Sequence, residues 1–479
     1  MEGTLSPQTI SAKIDRIAEL ARTRPEMAFT TLGHHLDVEW MQEAYRRTRK
    51  DGAMGVDGCG AAEFEQDLEE NLQMLINHAK AGTYYAPPVK RVHIPKGDGK
   101  QTRPIGIPTL QDKVMQRAVA MVLEPIYEQD YMNCSYGFRP GRSAHQALEQ
   151  VWQEVMGMGG CWIVEVDIKK YFDTIPHAQL REVVQKRVRD GVILRMIGKW
   201  LNAGVMEKGE LSYAEEGVPQ GGVISPMLSN IYLHEVLDKW FEGEVKPRLA
   251  GRAFLVRFAD DFVMGFESEQ DARRVFEVLP KRFGKYGLKL HPDKTRELWF
   301  GKPKQGEPEP ESFDLLGFRH YWGKSCKPPS PGKAAQGSGH KRGDKPGKPG
   351  EPGRGGQKPG EQARPAKLVV KRKTDPGRLG RALKKMRAYC RVVMHEPIKE
   401  QWEGLKRKVQ GHYGYYGITG NAEALRRFRH EVTRIWRYWL GRRGAKGGVT
   451  WEKMNRWMEW FPLPKVQVVH SVYRLAAKL

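Results

Sequence analysis

The chain has 479 residues and carries 80 lysines and arginines against 57 aspartates and glutamates, a net charge of +23. That length admits two or three domains with real cores, and the cationic excess calls for a polyanionic partner whose phosphates neutralise it. Met1 to Leu20 carries Glu2, Lys13, Asp15, Arg16 and Glu19 and lacks the apolar core of a secretory signal, and no later segment reaches membrane-spanning length. Cys59, Cys134, Cys161, Cys326 and Cys390 are scattered without a close pair or zinc spacing, which excludes a disulfide framework. A cytosolic protein with reduced thiols is expected.

In chain order, the first part, up to about Tyr84, reads as helical. Trp40 to Arg49 supplies a short basic helix, and Phe64, Leu68, Leu72 and Leu75 recur at helical spacing after Gly55-Val56-Asp57-Gly58. From Val89 to Ile107 the pattern becomes a β-hairpin around Gly97-Asp98-Gly99, carrying Lys90, Arg91, Lys96, Lys100 and Arg103. Trp162 to Ile168 is strand-like, with Trp162, Val164, Val166 and Ile168 on one face and Ile163, Glu165 and Asp167 on the other. The apolar face is expected to pack and the acidic face to look into a cleft. Next, Asp260 and Asp261 sit between Phe254-Leu255-Val256 and Phe262-Val263-Met264, at the turn of a predicted hairpin. Three carboxylates on neighbouring strands suit two Mg²⁺ ions, which prefer oxygen ligands and keep positions open for substrate phosphates in nucleotidyl transfer.

Lys324 to Lys367 is dominated by Gly, Pro and Lys and holds almost no apolar residues, so it is expected to be a disordered basic insertion, with a phosphate-binding tether as the functional alternative. Beyond it, Asn421 is expected to cap a helix that buries Leu425, Phe428, Val432, Ile435 and Trp439. Arg426, Arg427, His430, Arg434 and Arg437 lie opposite, as a nucleic-acid track or a solvated face. Trp451, Trp457 and Trp460 with Phe461-Pro462-Leu463-Pro464 form a short terminal element.

A lone Asp-Asp pair reads as a solvated turn, but its surroundings form an ordered set of motifs. Gly137-Phe138-Arg139-Pro140-Gly141-Arg142-Ser143 comes first, then Val166-Asp167-Ile168 through Phe172-Asp173, then Gly217-Val218-Pro219-Gln220-Gly221-Gly222-Val223-Ile224-Ser225-Pro226. Leu255-Val256-Arg257-Phe258-Ala259-Asp260-Asp261-Phe262 follows, then Gly287-Leu288 with His291-Pro292-Asp293-Lys294-Thr295, and Phe313-Asp314-Leu315-Leu316-Gly317-Phe318. From about Trp40 to near the C-terminus, interrupted once, the chain resembles a group II intron-encoded reverse transcriptase and maturase.

The resemblance implies an α+β right-hand polymerase: fingers, a palm with an antiparallel sheet, and an α-helical thumb or maturase domain. The expected division is an N-terminal extension over 1–60, fingers and palm over 61–323, the insertion over 324–367, the thumb over 368–445 and a terminal element over 446–479. Asp167, Asp260 and Asp261 are the implied catalytic residues, holding two Mg²⁺ with the Ile168 backbone carbonyl. Lys96 and Arg103 would meet the triphosphate, Phe172 would act as a steric gate against a 2′-hydroxyl, and Gln220 would approach the nucleotide. Leu316, Gly317 and Phe318 resemble the primer grip, and Arg426, Arg427, Arg434 and Arg437 would contact nucleic acid. The implied partners are an RNA template, a DNA primer, dNTPs and structured group II intron RNA, with no membrane, and the implied location is the bacterial cytoplasm, nucleoid-associated when on DNA. With no segment of paired Cys ligands and catalytic His before Leu479, the endonuclease-lacking branch is expected. Two alternatives are an RNA-binding splicing factor without needed polymerase activity, and a domesticated reverse transcriptase in repair or phage defence.

Overall fold

The strand Gly160–Val166 runs through the middle of a four-stranded antiparallel sheet whose order is Ala253–Phe258, Asp261–Phe266, Gly160–Val166, Arg296–Gly301. A computed structural model describes residues 7–95, 102–213, 215–304, 310–325, 368–444 and 448–470. Both faces of the sheet are covered. Val164, Val166, Phe262 and Met264 join a large core with the helices Leu110–Asp130 and Glu269–Lys285. Ile163, Val256, Val263 and Leu298 join a second core with the helix Ala144–Met158.

That double cover corrects one expectation. Ile163, assigned to a face open to a cleft, is 0% exposed, and Glu165 beside it accepts from Arg296 Nε at 2.9 Å. A sheet packed on both sides leaves alternation unable to tell an inner face from an open one. Glu165 and Asp167, the latter one residue past the strand end, do line a cavity, as expected of the acidic face.

The N-terminal helices Pro7–Thr23 and Val38–Arg47 pack on the helix Leu110–Asp130, where Trp40 Nε1 donates to the Ala118 carbonyl at 2.9 Å. Ile17, Trp40, Phe64 and Leu72 therefore share the large core. Phe64 and Leu72 lie on two helices, Ala61–Gln66 and Leu68–Ala81, separated at Asp67. A second sheet has the order Thr102–Ile107, Val89–Pro95, Val205–Glu207, Glu210–Ser212. Its first two strands form the expected hairpin, in register from Lys90 opposite Ile107 to Pro95 opposite Thr102. Lys96, like Gly97-Asp98-Gly99 and Lys100, lies outside the described residues.

A third sheet, Leu368–Thr374, Phe318–Lys324, Phe313–Leu315, precedes the C-terminal helices. Lys324, expected to begin the insertion, is instead the last residue of a strand and pairs with Leu368. The Gly/Pro/Lys-rich segment thus leaves and re-enters at the adjoining ends of a β-hairpin; residues 326–367 lie outside the described residues. The helices Pro376–Val392, Ile398–Tyr416, Ala422–Leu440 and Trp451–Trp460 enclose a core of their own, with Leu405, Val409, Leu425, Phe428, Val432 and Trp436. Trp436, four residues after Val432, is the fully buried tryptophan of the stripe, and Trp439 is half-buried against the same core.

Asn421 caps nothing with its side chain. Its Oδ1 accepts from Thr374 N–H at 2.9 Å, and its Nδ2 donates to Thr374 Oγ1 and the Tyr416 carbonyl, both at 2.8 Å. It ties the helix start to the third sheet. Among the described residues no helix is long and apolar enough to cross a membrane.

Because the insertion joins two paired strand ends, closing the hairpin should leave the fold undisturbed. Linking Lys324 to Leu368 through Asn-Gly, a favoured two-residue hairpin turn, should hold the melting temperature within about 2 °C of wild type. A larger fall in a thermal melt would show that residues 325–367 brace the hairpin.

Candidate active site

Phe258 pairs with Asp261, so Ala259 and Asp260 are the two turn residues of the acidic hairpin. Ala259 adopts φ 57°, the positive value that the first central residue of a type II′ turn needs and that costs an L-residue roughly 1 kcal/mol or more. A buried network holds it there. Arg257 is 0% exposed and grips Asp238, with Nε donating to Oδ1 at 2.7 Å and Nη2 to Oδ2 at 2.5 Å. Its Nη1 donates to the Ala259 carbonyl at 3.1 Å and to Asn230 Oδ1 at 2.9 Å, and Nη2 also reaches Ser135 Oγ at 2.7 Å. Asn230 Nδ2 donates to the Gly137 carbonyl at 2.5 Å, and Gly137 lies so close that a Cβ there would stand 2.3 Å from Ala259 N. Gly137 is therefore the one residue of its motif whose missing side chain the acidic turn requires. Sequence reasoning passed over Arg257 and Asp238, although a charge inside an otherwise apolar strand was the signal.

The strand end at Asp167 is pinned by a neighbouring loop. His291 N–H donates to the Asp167 carbonyl at 2.8 Å, and Lys294 Nζ stands 3.0 Å from Asp167 Oδ2. Lys294, part of the His291-Pro292-Asp293-Lys294-Thr295 motif but given no role from sequence, is thus the cation paired with Asp167, while Arg378 acts on Asp261 and Arg103 on Asp260 from farther off. Burial, and then the Asp167 charge, push the Asp260 carboxyl above its usual range. Surrounding protein, then Asp260 and Asp167, raise Asp261 to about 6. The Asp261 side chain is nonetheless solvent-exposed at the cleft floor, so water entering the cleft screens that repulsion.

Two cavities meet at these acids. One, of about 580 Å³, is lined by Arg103, Asp167, Ile168, Phe172, Gln220, Asp260 and Lys294. The other, of about 250 Å³, is lined by Asp167, Asp261, Lys294, Leu316, Gly317 and Arg378. Asp260 and Asp261 face different cavities, as consecutive residues leaving a turn should. Phe172 is half-buried with its ring edge-on to Tyr171, and Gly221 at φ 116° lets the Gln220 loop lie against the strand bearing Arg103. Leu316 and Gly317 form a two-residue turn with φ 51° and 81°, braced by Tyr415 OH donating to the Leu316 carbonyl at 2.8 Å. Phe318 does not reach the cavity: it is buried against Tyr415 and Tyr416, because its position on the strand points it into the second core.

No group of three His, Cys, Asp or Glu side chains among the described residues converges as a ready metal cage. Mg²⁺ is commonly held by one or two carboxylates while substrate phosphates and water complete its shell, so the donor set suits it. Farther off, Arg426, Arg427 and Arg434 are exposed, Arg434 pairing with Glu431 at 3.1 Å. Arg437 is taken up by the protein itself, donating to the Val449 carbonyl at 2.8 Å with its guanidinium 4.5 Å above the Trp451 ring.

Residues 94–320 match the family described as reverse transcriptase (RNA-dependent DNA polymerase). The chain is 37% identical over 324 residues to Protein YkfC of Escherichia coli (strain K12), covering 60% of this chain and 84% of that protein. It is 38% identical over 232 residues to Group II intron-encoded protein LtrA of Lactococcus lactis subsp. cremoris, covering 48% and 38%. Nuclear intron maturase 2, mitochondrial, of Arabidopsis thaliana is 30% identical over 176 residues, covering 28% and 24%. The chain spans well under half the length of these two intron-related proteins.

Removing the guanidinium from the buried network strands a charge. Arg257→Met should destabilise the protein by about 3–5 kcal/mol, because Asp238 is left ionised in the core with only His234 Nδ1, 3.6 Å away, beside it. Urea denaturation showing a loss below about 1 kcal/mol would mean the pair is not what holds the hairpin.

Proposed function

The chain belongs to the group II intron-encoded reverse transcriptases, and on that premise we propose that it extends a DNA primer along an RNA template at Asp167, Asp260 and Asp261. The observation that carries this reading is the placement of these acids between two cavities that share Asp167 and Lys294. A nucleotide seated on one side and a primer end on the other would meet at the carboxylates. Such proximity lowers the barrier chiefly by orientation.

On the nucleotide side, Arg103 offers its guanidinium to the triphosphate, and Lys96 is assigned to the same role. Phe172 lies under the sugar, where a 2′-hydroxyl would collide with the ring, and Gln220 borders the base or ribose. On the primer side, the Leu316-Gly317 turn and Arg378 hold the terminal nucleotide, while Phe318 anchors that turn from the core. Lys294 offsets the negative charge of Asp167 before substrate arrives. Two bound Mg²⁺, held by Asp167, Asp260 and the Ile168 carbonyl with Asp261 completing the set, would activate the primer 3′-oxygen and neutralise the leaving phosphate.

The central sheet then acts as a palm, the hairpin sheet over 89–107 as fingers and the helices beyond Pro376 as a thumb. The kinship with intron-encoded proteins and a named maturase supports a second role, binding structured intron RNA during splicing. Arg426, Arg427 and Arg434 supply its cationic surface.

Asp260→Asn or Asp167→Asn should abolish extension on an RNA template and leave template–primer binding within about twofold, since phosphate contacts elsewhere carry the affinity. Retained extension by either variant would remove the acids from the chemistry. Phe172→Ala should raise the ratio of ribonucleotide to deoxynucleotide incorporation roughly ten- to hundredfold, the scale at which a steric pocket discriminates small groups. Replacing Arg426, Arg427 and Arg434 by Gln should make log affinity less steep in log salt by about 0.9 per lost phosphate contact. Loss of splicing with short extension preserved would assign that surface to intron RNA; loss of processivity would assign it to the template–primer.

A further inference from the structure

A third cavity, of about 530 Å³, shares no residue with the two that meet at the acids. It lies between the loop after the helix Leu68–Ala81 and the helices His177–Gln185 and Gly191–Leu201. Its charged lining is Arg181, Arg195 and Lys199, with no carboxylate. Arg181 and Arg195 are exposed and make no ion pair among the described residues. Lys199 spends its ammonium on the backbone, donating to the Gly82 carbonyl at 2.9 Å and to the Tyr84 carbonyl. Three positive charges thus converge on one groove without a counter-charge.

The same contacts present an aromatic ring. Tyr85 is 70% exposed, yet its chain neighbours Tyr84 and Ala86 are buried. Tyr84 OH donates to the buried Asp112 carboxylate, which also accepts from Trp200 Nε1 at 2.9 Å, and Tyr84 N–H donates to the His78 carbonyl at 3.0 Å. The backbone on the Tyr84 side is fixed, and Lys199 fixes the carbonyl leading into Tyr85. An exposed ring on a pinned loop has little conformational entropy left to lose when a flat partner stacks on it.

A cationic groove with no carboxylate in its lining and a fixed aromatic at its edge matches an unpaired nucleotide: phosphate against guanidinium, base against ring. Its volume falls within the range of about 300–1,000 Å³ that suits nucleotide-sized ligands. We infer that this groove binds an unpaired stretch of nucleic acid, with Tyr85 stacking a base and Arg181 and Arg195 holding the flanking phosphates. This rests on the polymerase reading only in taking the ligand to be nucleic acid. Val89 N–H donates to the Gly204 carbonyl at 2.8 Å, so the loop carrying Tyr85 runs directly into the hairpin that bears Arg103. Two sources of the strand share this chemistry: the template beyond the copied nucleotide, and RNA other than the template.

The test uses the full chain, with Tyr85→Ala and the double variant Arg181→Gln/Arg195→Gln, all checked by thermal melting. Anisotropy titrations across a salt series follow three probes: a primer–template whose template extends by a single nucleotide, the same duplex with a long unpaired 5′ extension, and oligo(U) RNA. Tyr85→Ala should weaken the long-extension duplex or oligo(U) by about tenfold, the scale of one lost base stack. The double variant should flatten the salt slope for unpaired probes by about 1.4, at roughly 0.7 per contact. Binding of the single-nucleotide duplex, and its extension, should stay at wild-type values. Loss on the long-extension duplex assigns the template as occupant; loss confined to oligo(U) assigns other RNA; either upholds the groove. Unchanged affinity and slope for both unpaired probes overturn it, as does an equal loss on the single-nucleotide duplex. If wild-type protein fails to extend any primer while oligo(U) binding still depends on Tyr85, the polymerase reading falls and the groove stands.

Discussion

The buried ion pair between Arg257 and Asp238 is the constraint on which the acidic site depends. A guanidinium and a carboxylate removed from water are costly unless every donor is used, and here both oxygens of Asp238 and the three donor nitrogens of Arg257 are engaged. The network does more than offset its own desolvation. It seizes the carbonyl of Ala259, the strained turn residue before Asp260, and through Asn230 it seats the Gly137 backbone against the same turn. Hydrophobic packing alone would leave that hairpin free to relax into a less strained turn, and the acids would then no longer point into two cavities.

Three carboxylates gathered at one strand end are electrostatically unfavourable, and the structure shows how that is managed. Lys294 stands at hydrogen-bond distance from Asp167, while Asp260 and Asp261 have raised pKa values. A site tuned only for stability would pair each acid. Among the described residues Asp260 and Asp261 make no ion pair, so the negative charge of the cluster is offset only in part.

The C-terminal bundle is registered to this site by polar contacts. Tyr415 holds the Leu316 carbonyl, Asn421 holds Thr374, and His145 of the central unit stacks on His470 at 3.4 Å. Val469 and His470 both donate to the Gly417 carbonyl, at 2.7 and 2.8 Å, so the segment after the last helix returns to strap the bundle at its junction with the third sheet. The Gly/Pro/Lys-rich insertion departs from a hairpin end whose strands are already paired. A long segment is tolerated there because loop-closure entropy grows slowly with length.

Beside the ordered motifs that mark the family, neighbouring residues settle what is local: the acidic pair at a turn, Asp167 at a strand end and the hairpin over 89–107. These follow from periodicity of two or 3.6 residues and from turn chemistry, which neighbouring residues carry. Which faces close depends instead on how whole elements pack. Ile163 is buried because helices cover both sides of its sheet, Trp436 is buried more deeply than Trp439, and Phe318 turns inward. That packing also decides which polar groups find partners far along the chain: Asp238 for Arg257, Asp167 for Lys294, Thr374 for Asn421, and Trp451 for Arg437. Burial and pairing over such separations depend on where whole elements dock, and no window of neighbouring residues contains that information.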